Sequence, residues 1–130
     1  MRVFGLIENV LCVSKDAAKI LIPPNNATRT EGQNVTFECN LEGRPLSKVT
    51  WWKDSTQINT SDSRYQVSQA PSSVVNSTAT LTIIDVIRSD ESFYQCRAEN
   101  QLDSESSSAA YLMVNCKLSL NSWFAKIVRW

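Results

Sequence analysis

Four cysteines, Cys12, Cys39, Cys96 and Cys116, are the side chains of this sequence with the clearest covalent chemistry. None belongs to a Cys-x-x-Cys pair, the spacing of zinc sites and thioredoxin-type redox pairs. Cys39 and Cys96 lie 57 positions apart, each in a segment that alternates like a buried strand. A disulfide between them is the simplest reading. In the chain-entropy model, closing such a loop is worth about 4 kcal/mol. The bond needs an oxidising compartment. Four Asn-x-Ser/Thr sequons, at Asn26, Asn34, Asn59 and Asn76, support the same compartment as candidate glycosylation sites.

Other chemistry has little to stand on. The chain has no histidine. That removes the commonest general base, the Ser-His-Asp arrangement and histidine-containing metal sites. Asp62, Asp85, Asp90, Asp103 and Glu105 show no calcium-loop spacing and read as solvated turn residues. No glycine-rich phosphate loop, nucleophile elbow or metalloprotease motif occurs. Catalytic residues, metal ligands and cofactors are therefore expected to be none. Thirteen basic residues balance thirteen acidic ones. That balance gives no electrostatic footprint for nucleic acid or an anionic membrane.

The elements that must position these residues are short strands. The chain has 130 residues, 42% hydrophobic and 20% charged, enough for one globular domain of about 100 residues with tails. Val35, Phe37 and Cys39 alternate with Asn34, Thr36 and Glu38. Ala79, Leu81 and Ile83 share a face, as do Tyr94, Cys96 and Ala98, and Ala110, Leu112 and Val114. Val49 and Trp51 point inward. Residues 63–69 form a further short strand, and residues 89–92 suit one helical turn. The run around Pro23-Pro24 suits an edge strand that breaks and resumes. Turn residues recur about every ten positions, with no sustained helical period, so the pattern calls for an antiparallel all-β sandwich.

The chain from Ile20 to Val114 resembles an immunoglobulin domain of the I-set type. Glu31-Gly32-Gln33 precedes Val35 to Cys39, and Trp51 follows Cys39 by 12 residues. Leu81, Ile83 and Val86 precede Asp90, Ser92, Tyr94 and Cys96 at alternate positions. The resemblance implies an immunoglobulin-like sandwich of seven to eight strands, with the Cys39–Cys96 bridge crossing it and Trp51 packed alongside. It implies a core containing Leu81, and a tyrosine corner in which the Tyr94 hydroxyl bonds nearby backbone. Ser92 stands where such domains usually have glycine, which predicts a strained turn. Asp103, in the last hairpin, can tolerate positive φ. Arg64 and Asp90 are expected either as a salt bridge or as a solvated pair.

The chain divides into an N-terminal segment at 1–19, the domain at 20–115 and a tail at 116–130. Val3 to Val13 reads as an upstream fragment or a poor signal peptide, interrupted by Glu8 and Asn9. Cys12 and Cys116 fall at opposite ends of such a sandwich and are not expected to pair. The tail is too short and too charged to span a bilayer, so any membrane attachment would come from other parts of a parent chain.

With Trp51, Cys96, Leu112 and Val114 inward, one outer face shows Thr50, Trp52, Gln95, Arg97, Glu99, Tyr111 and Met113. Trp, Tyr and Arg are the types enriched in interface hot spots, so Trp52, Arg97 and Tyr111 are the candidate protein-binding residues. The plainer alternative is Trp52 lying flat and stacked on Arg97. No sequon falls on those three strands, so sugars are expected to leave the face bare. The function expected is non-catalytic recognition of another protein, homophilic or heterophilic, by an extracellular module of an adhesion molecule or receptor. The alternative is an intracellular structural domain of a muscle or cytoskeletal filament protein.

Overall fold

A computed structural model describes residues 15–117. The run from Val3 to Val13, Cys12 and the tail beyond Lys117 lie outside the described residues. Ten strands follow in order: β1 (Asp16–Ile22), β2 (Ala27–Thr30), β3 (Val35–Arg44), β4 (Lys48–Lys53), β5 (Thr56–Gln57), β6 (Tyr65–Pro71), β7 (Asn76–Ile83), β8 (Ser92–Glu99), β9 (Ser104–Ser106) and β10 (Ala110–Asn115). One 3₁₀ turn, Arg88–Asp90, precedes β8.

The strands form two sheets, one ordered β1-β3-β7-β6, the other β2-β10-β8-β4-β5 with β9 also on β8. Pro23 and Pro24 explain how one edge serves both. Proline cannot donate to a ladder, so β1 ends on β3 and the chain resumes as β2, parallel to β10. The last strand breaks similarly: β9 and β10 both pair with β8, separated at Ser107. There the Ser107 hydroxyl accepts from Cys96 N at 3.0 Å, where a strand carbonyl would otherwise sit. Counting each broken strand once leaves eight. β1 starts at Asp16, ahead of the boundary read at Ile20, because Ala18 is buried against Gly43. A Cβ at position 43 would crowd the Ala18 Cα at 3.3 Å and overlap the Ser47 hydroxyl, so glycine suits this close approach.

Alternation puts the core between the sheets. Val35, Phe37, Cys39 and Leu41 of β3 face Tyr94, Cys96 and Ala98 of β8, with Leu81 and Ile83 beside them, all at most 1% exposed. Phe37 and Tyr94 stack across the gap at 5.1 Å. Cys39 and Cys96 form the disulfide, with 6.6 Å between their Cα atoms. Trp51 sits directly opposite Cys96 in the β4–β8 register.

The tyrosine corner is present: Tyr94 Oη donates to Asp90 O at 2.6 Å. Burial pushes its hydroxyl pKa well above the ordinary tyrosine value. Asp90 corrects the reading of solvated turn carboxylates. Its side chain is buried, accepts from Ile87 N at 2.8 Å, and pairs with Arg64 at 2.5 Å. Hydrogen bonding to Asp90 raises the Arg64 pKa further.

Ser92 also departs from expectation. Among the described residues, the non-glycine positions with positive φ are Asp54, Ser55 and Asp85, not Ser92 or Asp103. The Ser92 hydroxyl instead donates to Asp54 Oδ2, a use a glycine could not provide. Asn100 organises the β8–β9 turn. Its Oδ1 accepts from Ala18 N and Leu102 N, and its Nδ2 donates to Asp16 O at 2.8 Å and Pro45 O.

Candidate protein-binding face

The outward residues of β4, β8 and β10 make one surface, and pairing fixes which of them meet. Trp52 lies opposite Gln95, Thr50 opposite Arg97, and Phe93 opposite Tyr111. The Phe93 and Tyr111 rings are 4.8 Å apart and tilted by 57°, an attractive edge-on geometry. Phe93 is 52% exposed and Met113, next along β10 on the same side, 45%. This aromatic pair with its methionine is the apolar centre of the face.

Three carboxylate or amide groups hold it in place. Tyr111 Oη donates to Glu91 Oε2 at 2.5 Å, while Glu91 Oε1 accepts from Val114 N at 2.9 Å. These two bonds lower the Glu91 pKa, and the same contact raises that of Tyr111. Asp54 sits in a two-residue turn between β4 and β5, with positive φ at both turn residues, as primed hairpin turns require. Its carboxylate accepts from Phe93 N at 3.2 Å and from the Ser92 hydroxyl, and those bonds lower its pKa. Asn26 Oδ1 accepts from Tyr111 N at 2.8 Å.

The three residues singled out from the sequence do not form one cluster. Trp52 and Arg97 sit on neighbouring strands, with the Trp51–Cys96 pair between their own pairs. No stack between them is present among the described residues. The Trp52 indole donates to Thr50 Oγ1 at 2.9 Å, and Arg97 donates to Ser104 Oγ at 3.2 Å. Arg97 pairs beyond the Ser107 break, whereas Tyr111 pairs with Phe93. Four residues of strand, about 13 Å, separate those ends. Phe93 is the residue that sequence reasoning passed over. Its alternation with Tyr94 placed it on this side, but only the register puts it against Tyr111.

The sequons also need correction. Asn26 is exposed and its side chain reaches Tyr111, so a sugar on it would stand at the aromatic end of the face rather than leave it bare. Asn34 caps the Asp85 N–H at 2.8 Å from the far sheet, and Asn59 bonds Ser61 N in an exposed loop. Asn76 is half-buried at the start of β7.

The family profile "Immunoglobulin I-set domain" matches residues 18–114. The netrin receptor DCC of Rattus norvegicus is 32% identical over 100 residues, covering 72% of this chain and 6% of that protein. Neural cell adhesion molecule 1 of Bos taurus is 42% identical over 84 residues, covering 64% and 9%. The chain thus spans under a tenth of the length of these relatives. Among solved structures, the titin Z1Z2 domains in complex with telethonin superpose with a TM-score of 0.71 at 27% identity, covering 82% of this chain and 52% of that one.

Proposed function

Because the chain belongs to the immunoglobulin I-set family, we propose that it recognises another protein outside the cell, through the Phe93–Tyr111–Met113 side of its larger sheet. The family and the fold are non-enzymatic, so the site is a contact surface rather than a reaction centre. The observation that carries this reading is an exposed apolar cluster in which Glu91 holds the Tyr111 hydroxyl while Asp54 and Asn26 hold the backbone N–H groups of Phe93 and Tyr111. Rings held before binding lose little freedom on contact, which favours affinity. Trp52, Gln95 and Arg97 extend the surface as a polar shoulder. The disulfide and the receptor relatives favour the extracellular setting over a filament role.

The test uses the full chain, biotinylated and tetramerised, against cells that each display one membrane-protein ectodomain. A partner found this way is expected to lose at least about tenfold in affinity with Phe93→Arg and with Tyr111→Ala, the scale of an interface hot spot. Binding that survives both changes unaltered removes the assignment of this face.

A further inference from the structure

The smaller sheet ends in β6, and the backbone parity of that strand is fixed by its neighbours. Ile84 N donates to Arg64 O at 2.8 Å, and Ser72 N to Asn76 O at 2.9 Å. In an antiparallel pair such bonded positions alternate. Gln66, Ser68 and Ala70 therefore bond β7, while the N–H and C=O groups of Val67 and Gln69 face the open edge. The same register directs the Val67 and Gln69 side chains inward, since their partners Leu81 and Ala79 are buried.

This edge has none of the usual guards. Charged side chains, prolines or covering groups normally protect a free strand. The β6 sequence, Tyr-Gln-Val-Ser-Gln-Ala-Pro, has no charge, and its one proline is terminal. By contrast, the other first-sheet edge, β1, is covered by bonds from Ala18 N to Asn100 and from Ile20 N to Glu105. In the second sheet, β5 has only two residues and β2 carries Arg29.

Beside β6 an open slot of about 310 Å³ enters the sandwich between the sheets, lined by Val49, Trp51, Gln57, Ile58, Val67 and other residues, none of them charged. Trp51 is 2% exposed, and its indole N–H has no hydrogen-bond partner. Edge and slot together call for an extended, uncharged strand with an apolar side chain on its inward side.

We infer that the occupant is β6 of a second copy, adding antiparallel across a two-fold axis to make one continuous sheet. The register is self-complementary: Val67 of each copy pairs with Gln69 of the other, exchanging both backbone bonds. Tyr65 N is already spent on Asp62 O, and Pro71 has no N–H, so the pairing window closes on both sides. Val67, 43% exposed in the single chain, then covers the mouth of the partner slot. The β6 edge belongs to the opposite sheet from the recognition face, and the inference does not depend on that face.

The test is sedimentation velocity on the full chain with its disulfide intact, from micromolar to millimolar concentration. A concentration-dependent dimer is expected, with amide exchange at Val67 and Gln69 slowing as it forms. Val67→Pro removes an N–H that β7 does not use, and Val67→Lys adds an edge charge. Each is expected to weaken the dimer at least about tenfold, and the melting curve of each variant monomer shows separately whether it remains folded. A monomer at every concentration overturns the inference. So does a dimer that ignores both Val67 changes but is lost with Phe93→Arg, and so does a monomer whose β6 pairs only with an added valine–threonine peptide.

Discussion

Replacing Cys39 and Cys96 together with alanine is expected to cost the domain about 2–5 kcal/mol, a large share of the stability of a domain this size. The bond joins β3 of one sheet to β8 of the other, at positions where both side chains are fully buried. The loop it closes spans 57 residues and contains all of β4 to β7. Without the link, the unfolded chain regains the freedom of that loop, while the folded sandwich loses two packed sulfur atoms. Urea denaturation should show the midpoint falling in the double variant. Reductant should lower the midpoint of the native chain and leave that of the variant unchanged. A midpoint that does not move in either case would mean the two sheets hold together without their crosslink.

Trp51→Ala is expected to cost about 3–5 kcal/mol, the range for removing a buried aromatic ring. The indole fills the space between β4 and the disulfide, opposite Cys96. Its removal would enlarge the lateral slot that Trp51 already lines. Trp51→Phe should cost much less, for a specific reason. The buried indole N–H is unpartnered, and burying an unpaired donor costs about 1–3 kcal/mol. Phenylalanine gives up volume but also gives up that donor, so the two effects partly offset. Thermal melts of both variants, with the disulfide intact, check this. A phenylalanine variant as unstable as the alanine one would show that shape alone decides the position.

Most of the sandwich was legible because strand alternation is local. Val35 to Leu41, Ser92 to Ala98 and Ala110 to Val114 each announce their buried side in a few residues, and the Cys39, Trp51, Tyr94 and Cys96 spacing orders them. The recognition face was half legible. Alternation says that Phe93 and Tyr111 point outward, but their contact depends on a register set by residues far away in sequence. The Asn26 contact with Tyr111 spans 85 positions and has no local signal at all. Asp90 read as a surface carboxylate because polarity suggests solvent. Arg64, 26 residues earlier, makes its burial tolerable by pairing with it. Ser92 was expected to be strained by analogy with glycine, whereas its hydroxyl found a partner in Asp54. The open edge of β6 could not be seen in sequence, since an edge is defined by the strand that is missing beside it.

The extracellular setting proposed above predicts an oxidised, glycan-bearing chain, and its mass records both. Peptide mapping of the chain isolated from its native source, after glycan release in ¹⁸O water, reads that directly. The expected result is a Cys39–Cys96 crosslinked peptide together with an ¹⁸O-labelled aspartate at Asn59, the sequon in an exposed loop. Free thiols at both cysteines, with all four sequon asparagines unmodified, would contradict it and return the chain to the interior of the cell.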